Sequence, residues 1–312
     1  MMVFLLLTAL TVALLAGLAL LRAGTTRRRY TQDSLAAQLS KPPYREIKAA
    51  ALAADGWVAA HAPQELFVVS YDGKRLHATF LPQENARGTI LLFHGYRSCW
   101  QIDFGASLSY YYDTLGYQLL LVDQRAHGKS EGRFLTFGVR ERYDVISWVT
   151  YLSQLLGEHH PMYLGGLSMG ATTVLLASCF ELPANVRGIT ADSGFTSPYE
   201  IAKSVLRRDH PRLPLWPLLA FYGLFTRLFA GYSLRETSTC DAVRESRYPI
   251  LFIHGTADTF VPCEMTKRAF EACRSEKTLV LVDGAEHGKS YLVDKPRVQQ
   301  ALQSFFAAHL PR

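Results

Sequence analysis

Residues 166–170, Gly166-Leu167-Ser168-Met169-Gly170, constrain this chain more than any other stretch because of what flanks them. Before them, Met162-Tyr163-Leu164-Gly165 is a short apolar run that reads as a buried strand; after them, residues 171–180 form an Ala/Leu/Val-rich run that reads as a helix. A G-x-S-x-G turn between a strand and a helix is a nucleophile elbow. The turn forces Ser168 into a strained backbone conformation, and side chains two positions away on either side would collide with the neighbouring strand and helix. The strain holds the Ser168 hydroxyl out at the top of a sheet, at a helix N-terminus where developing negative charge is favoured. G-x-S-x-G alone is a loose pattern, and the strand-turn-helix context is what makes it specific.

A lone serine is a poor nucleophile and needs a base, an acid that orients the base, and an oxyanion hole. Behind such an elbow the partners follow in the order Ser, Asp or Glu, His. Residues 249–255, Pro-Ile-Leu-Phe-Ile-His-Gly, read as a buried strand running into a turn, and the loop beyond it presents Asp258. Residues 278–282 read as the next strand, and its D-G-A-E-H-G loop presents His287 as the base. Both residues fall just past the C-terminal end of a predicted parallel strand, where open α/β sheets build their sites. Asp192, in the A-D-S-G segment after an earlier strand, is a rival for the acid, although Ser193-Gly194 behind it equally suits a turn or helix cap. Asp283 and Glu286 share the loop of His287 and would have to fold back onto it.

The oxyanion hole requires the backbone N–H after the nucleophile, here that of Met169, and a second from an early strand-to-helix loop. Residues 89–93 read as a strand ending in His94-Gly95-Tyr96-Arg97-Ser98, which aims the Tyr96 N–H at the site and leaves His94 a structural role under the loop. A further strand, 118–122, leads into Asp123-Gln124-Arg125-Ala126-His127-Gly128-Lys129-Ser130, whose Asp123 and Arg125 read as braces between loops.

Taken in order, H-G-Y, D-Q-R-A-H-G-K-S, G-L-S-M-G, H-G-T-A-D-T-F-V-P and A-E-H-G resemble the α/β-hydrolase superfamily, in particular bacterial serine hydrolases related to monoacylglycerol lipases and prolyl-oligopeptidase-like peptidases. The hairpin S-Y-D-G-K-R-L-H-A-T-F is similar to theirs as well, and the resemblance runs from about residue 65 to the C-terminus. It implies an α/β-hydrolase fold: a mostly parallel, doubly wound sheet with a helical cap insertion. Ala126 stands where the family often has Gly in D-x-R-G-x-G-x-S.

The alternation of strands and helical stretches is unbroken from Glu65 to Ala308, which predicts one hydrolase domain over residues 65–312. The irregular part, about 202–234, holds Pro211, Pro214 and Pro217 among Trp216, Phe221, Tyr222, Phe225 and Phe229. The resemblance implies a cap here, with Trp216, Phe221, Phe225 and Phe229 as candidate walls for the apolar part of a substrate. The competing reading is ordinary packing, since aromatic stripes usually belong to cores. Arg207, Arg208, His210 and Arg212 give the segment a basic edge.

Residues 2–21 contain neither a charge nor a proline, long enough for a transmembrane helix, and no Lys or Arg precedes them as a cleaved leader would require. The expectation is an uncleaved anchor over 1–30, single-pass, followed by a juxtamembrane helical segment over 31–64 broken at Pro42-Pro43. Arg22, Arg27, Arg28 and Arg29 place the catalytic domain on the cytoplasmic side by the positive-inside rule. They also make up four of the six excess positive charges, which points to anionic lipid head groups and away from nucleic acid.

Five cysteines without a C-x-x-C pair suit reduced thiols rather than a disulfide framework. The histidines lack metal-ligand spacing and no phosphate-cradling glycine loop is present, so neither a metal nor a cofactor is expected. Three functions fit: a carboxylic-ester hydrolase acting on an acyl or lipid-like substrate, a peptidase of the same fold, and a non-catalytic hydrolase-fold binding protein. The basic cap weighs against the second, because a peptide amine needs a carboxylate partner. The complete Ser-Asp-His set weighs against the third.

Overall fold

Strands as apolar as Thr-Ile-Leu-Leu-Phe have no face fit for water, so helices must cover both sides of any sheet they build. The computed structural model, which describes residues 1–27, 37, 39, 40 and 44–310, has this layered arrangement. In chain order its principal elements are α1 (Met2–Thr25), α2 (Lys48–Ala60), β1 (Gln64–Val69), β2 (Arg75–Leu81), β3 (Thr89–Phe93), α3 (Trp100–Phe104) and β4 (Gln118–Asp123). Then come α4 (Glu141–Leu156), β5 (Met162–Leu167), α5 (Met169–Ala177), β6 (Val186–Asp192), α6 (Pro198–Asp209), α7 (Leu215–Phe229) and α8 (Thr239–Glu245). The last are β7 (Ile250–Gly255), α9 (Cys263–Ala272), β8 (Lys277–Val282), α10 (Ser290–Val293) and α11 (Lys295–Ala308).

The described strands form one eight-stranded sheet in the order β1-β2-β4-β3-β5-β6-β7-β8. β2 pairs antiparallel with both β1 and β4, and every pairing from β4 onward is parallel. Alternation along each strand separates two cores. Ile90 and Leu92 of β3 pack with Ala54 and Val58 of α2 and with Val298, Leu302 and Phe306 of α11. Leu91 and Phe93 pack on the other face with Val145, Trp148 and Val149 of α4 and Val174 of α5. The C-terminal ends of β3, β5, β6, β7 and β8 therefore lie side by side along one edge of the sheet, and the loops that leave them converge.

Between β6 and β7 the chain leaves the sheet to form α6, α7 and α8. Ser197 caps α6 by accepting the Glu200 N–H at 3.2 Å, with Pro198 at its first position. Tyr222 and Phe225 of α7 are buried in a cluster with Leu206, Leu215, Tyr232 and, from the N-terminal helix, Leu21.

The N-terminal transmembrane helix expected from the sequence is not supported. Among the described residues no helix is long and apolar enough to cross a membrane. The C-terminal half of α1 is instead committed to the protein. It crosses α7 so closely that a Cβ on Gly17 would sit 2.6 Å from the Phe221 Cβ, and one on Gly24 would sit 3.1 Å from the Tyr222 hydroxyl. Beyond the helix, Thr26 bridges Phe134, and the Arg27 N–H donates to the Arg133 carbonyl at 2.8 Å. Arg28, Arg29 and the Pro42-Pro43 break lie outside the described residues.

Candidate active site

β5 ends at Leu167, α5 begins at Met169, and Ser168 between them has φ +57° and ψ −115°. Few L-residues adopt that conformation, and the two glycines show what compels it. A Cβ on Gly170 would lie 1.8 Å from the Phe93 carbonyl oxygen, and one on Gly166 would lie 2.3 Å from that of Gly170. Strand, turn and helix can pack this tightly only with both positions bare. The Ser168 N–H donates to the Asp192 carbonyl of β6 at 2.8 Å, pinning the turn to the next strand.

The loops after β7 and β8 bring two side chains to this serine. His287 Nε2 is 2.9 Å from Ser168 Oγ, and His287 Nδ1 is 2.6 Å from Asp258 Oδ2. Because the carboxylate only accepts, the Nδ1 proton points at Asp258, which leaves the Nε2 lone pair facing the serine hydroxyl. Asp258 is held on its other side by the Phe260 and Val261 N–H groups, each at 2.8 Å from Oδ1. A second imidazole, His254 at the end of β7, approaches Asp258 Oδ2 at 3.1 Å while also reaching the Val261 carbonyl at 3.0 Å. Burial pushes the Asp258 carboxyl up, but hydrogen bonds from His254 and His287 outweigh burial and hold it well below the usual carboxylate range.

Asp192, the rival acid, lies on the neighbouring strand end with a different set of partners. Its carboxylate accepts the Ser193 hydroxyl at 2.8 Å and the Ser290 hydroxyl at 3.2 Å. Burial raises its pKa against those hydroxyls and the nearby His254 and His287. Asp283 is turned away as well, accepting the Thr256 hydroxyl at 2.9 Å.

The loop after β3 runs past the serine. A Cβ on Gly95 would lie 3.3 Å from the Ser168 Cβ. Three side chains, Asp103 and the buried His94 and His127, shape this loop. Asp103 accepts the Gly95 N–H at 2.5 Å and the Ser98 hydroxyl at 2.7 Å. His94 donates from Nδ1 to the Gly95 carbonyl at 2.8 Å and accepts the Gln124 N–H at Nε2. His127 donates from Nδ1 to the Arg125 carbonyl at 2.9 Å and accepts the Arg97 N–H at Nε2, 3.1 Å away. Burial, reinforced by the neighbouring His94, drives the His127 pKa down to about 3, so its ring is neutral and able to accept. Tyr96 stacks on Phe137 with ring centroids 5.4 Å apart, and its hydroxyl donates to the Gly24 carbonyl of α1 at 2.9 Å. Met169, buried at the first position of α5, has an N–H without a partner in the helix ladder.

Asp123 and Arg125 brace the loop after β4. Asp123 pairs with His77 Nδ1 at 2.7 Å and accepts the Lys129 N–H at 2.8 Å, while Arg125 pairs with Asp144 and with Asp72. Ala126 holds φ +62°, the left-handed conformation that Gly adopts most readily.

The apolar surroundings of Met169 are Phe195, Ile201 and Val261, with Tyr96, Phe137, Val205 and Phe260 half-buried against them. The Phe260 ring stands 5.0 Å from the His287 ring. The cap aromatics singled out in the sequence sit elsewhere. Phe221 and Phe225 belong to the cluster that holds α7 on α1, Trp216 is 78% exposed, and Phe229 is 55% exposed. What sequence reasoning missed is the layer behind the central three residues: His254, Asp103 and His127. The His-Gly pair closing β7, placed like His94-Gly95 after β3, is the signal that could have drawn attention to His254.

Among the described residues no group of three or more His, Cys, Asp or Glu side chains could hold a metal ion. Comparison with known proteins agrees with the architecture. Over 237 residues the chain is 30% identical to the uncharacterized protein YqkD of Bacillus subtilis, covering 75% of each chain. Over 200 residues it is 26% identical to the lysophosphatidylserine lipase ABHD12 of Danio rerio, covering 63% of this chain and half of that one. The esterase Pf2001 of Pyrococcus furiosus superposes with a TM-score of 0.67 at 20% identity, covering 92% of this chain and 98% of that one. Est1E of Butyrivibrio proteoclasticus, solved with ferulic acid, superposes with a TM-score of 0.59 at 20% identity, covering 79% and 100%. These superpositions are likenesses of fold. A family model described as the alpha/beta hydrolase family matches residues 90–299, and with the sheet order and the elbow already in view, the chain belongs to that family.

Proposed function

We propose that this protein hydrolyses carboxylic esters with an acyl or otherwise apolar acid part, through an acyl-enzyme on Ser168. The observation that carries the reading is the continuous path Ser168 Oγ–His287–Asp258, at 2.9 and 2.6 Å, starting from a serine in a strained turn. His287 Nε2 takes the Ser168 proton as Oγ attacks the ester carbonyl, and Asp258 stabilises the imidazolium that forms. The Tyr96 and Met169 N–H groups stabilise the negative oxygen. Collapse of the tetrahedral intermediate breaks the C–O bond to the alcohol, which leaves with the proton from His287. A water molecule then attacks the acyl-serine, gives its proton to His287, and releases the acid and free Ser168.

The apolar cluster of Met169, Phe195 and Ile201, with Phe137, Val205 and Phe260 half-buried against it, favours an apolar acyl part. The cap aromatics Trp216, Phe221, Phe225 and Phe229 then contribute by carrying the cap rather than by lining its inner wall. The names of two of the similar proteins, a lysophosphatidylserine lipase and an esterase, lie in the same direction. The test is a panel of p-nitrophenyl esters of graded chain length beside aminoacyl-p-nitroanilides, with fluorophosphonate labelling. Wild-type protein should turn over the esters and label at Ser168, and Ser168→Ala should lose labelling and at least roughly a thousandfold of turnover. Persistent labelling of Ser168→Ala, or anilide cleavage exceeding ester cleavage, overturns the reading.

A further inference from the structure

Helix α6 has two faces with different tasks. Ile201 and Val205 point toward Met169 and Phe260. Tyr199, Lys203 and Arg207, at four-residue spacing half a turn away, line a groove on the opposite side, completed by Arg212, Leu213, Pro214, Leu215, Trp216 and Leu219. The groove measures about 420 Å³, a volume within the usual range of small-molecule pockets.

Its lining is of two kinds. Leu213, Pro214, Leu215, Trp216 and Leu219 are apolar, with Trp216 78% and Leu213 47% exposed. Lys203, Arg207 and Arg212 are cationic, and the Arg235 guanidinium sits 3.7 Å from the centre of the Tyr199 ring. Nearby carboxylates are already engaged: Glu200 faces Arg268 at 3.9 Å, and Asp209 pairs with Arg208 at 2.7 Å. Among the described residues no acidic side chain lines the groove. Arg207 donates to the Pro211 carbonyl at 3.2 Å, within the α6–α7 turn that also brings Arg212 into the groove lining. Several unneutralised cations at the mouth of an apolar trough are complementary to one kind of ligand.

We propose that this groove binds a single-chain amphiphile with an anionic phosphate or carboxylate head group, at a site separated from Ser168 by α6. The head group meets Lys203, Arg207 and Arg212, and the chain lies along Leu213, Leu219 and the Trp216 ring. The site goes beyond the ester-hydrolase reading and does not depend on it.

The test titrates the full-length protein with dodecyl phosphate below its micelle concentration, by calorimetry and by tryptophan emission. Dodecyl phosphate carries no carboxylic ester, so binding is read without turnover. Saturable one-to-one binding with a blue shift is expected, the shift being absent in Trp216→Ala. Dodecanol and inorganic phosphate should each bind at least roughly tenfold more weakly, because each satisfies half of the groove. Lys203→Gln combined with Arg212→Gln should weaken dodecyl phosphate by roughly tenfold or more. An unchanged melting temperature shows that variant to be folded; if it melts lower, Arg212→Gln alone is used. Sedimentation with phosphatidylcholine vesicles carrying hexadecyl phosphate, absent with phosphatidylcholine alone and lost in the double variant, identifies a membrane-borne amphiphile as the source. Dodecyl phosphate binding without vesicle binding identifies a free amphiphile, and either result supports the site. Absence of saturable binding, dodecanol binding as tightly as dodecyl phosphate, or wild-type affinity in the double variant overturns it.

Discussion

Asp258 takes hydrogen bonds from His287, His254 and two backbone N–H groups, so its substitution can be read quantitatively. Asp258→Asn places an amide where His287 needs an acceptor and lets the ring turn to the wrong tautomer. Such a change typically costs roughly 10⁴-fold in kcat. Asp192→Asn, whose carboxylate serves Ser193 and Ser290, should stay within about tenfold of wild type, since it alters a structural bond rather than the proton path. Steady-state kinetics on the two variants decide the matter, and the reverse ranking moves the acid to Asp192. Ser168, Asp258 and His287 are legible in the sequence because each follows a strand made conspicuous by an unbroken apolar run, in an order that the chemistry fixes. His254, Asp103 and His127 are not. His127 meets Arg97 thirty positions away, and no local pattern announces a partner at that distance; His254 and Asp103 lie only four and eight positions from Asp258 and Gly95, but it is the fold of each loop that turns them onto those partners.

At the level of single elements, the two faces of α6 and the single outer role of α7 make opposite predictions for substitutions that look alike. Val205→Ala and Phe260→Ala shorten the apolar wall near Met169, and they should reduce kcat/KM for long acyl esters more than for acetate, by roughly 1–3 kcal/mol per contact at most. Phe225→Ala opens a cavity between α7 and α1, at a cost of roughly 3–5 kcal/mol in stability, with no preference among chain lengths. A chain-length panel and thermal melts on the same three proteins separate the cases. If Phe225→Ala alone is selective for long chains, the acyl wall lies on α7. The sequence marks residues 202–234 as an insertion through its prolines. It cannot say which aromatic faces the site, because hydrophobicity alone does not distinguish a ring packed on α1 from a ring packed on Met169. The loop after β4 carries its own prediction. His127 is neutral in the fold, its pKa driven from 6.5 to about 3, so the unfolded chain binds a proton in this window that the folded chain refuses. Its contribution is therefore complete above about pH 6.5 and is lost as pH falls toward 3. His127→Gln, which keeps a donor and an acceptor but cannot charge, should flatten the fall in melting temperature between pH 6.5 and 4, and an unchanged slope would place the titrating group elsewhere.

Across the whole molecule, the alternation of strands and helices in the sequence settles the layering, since apolar strands covered on both faces leave few arrangements open. What it leaves open is where the first helix goes. Residues 2–21 are apolar enough to suggest a bilayer, yet Gly17 and Gly24, seven residues apart on one side of α1, are what allow that side to cross α7 in contact. From there the chain reaches the site. The Gly24 carbonyl accepts the Tyr96 hydroxyl, the Thr26 carbonyl accepts the Arg97 guanidinium at 3.1 Å, and Arg27 donates to the Ser130 carbonyl at 2.6 Å. Helix α1 thus ends as a strap across the loop proposed to supply half of the oxyanion hole. Gly17→Val should force α1 off α7, because its Cβ would stand 2.6 Å from that of Phe221, and should lower both the melting temperature and kcat. Tyr96→Phe removes one hydrogen bond and should lower kcat by a few-fold while leaving the melting temperature within a few degrees. If the strap acts through Tyr96, the two changes share a mechanism and their effects on kcat combine to less than their product. Strict multiplication in the double variant would show that the packing of α1 on α7 and the bond between Tyr96 and Gly24 act on turnover independently, so that α1 does not position the loop through Tyr96.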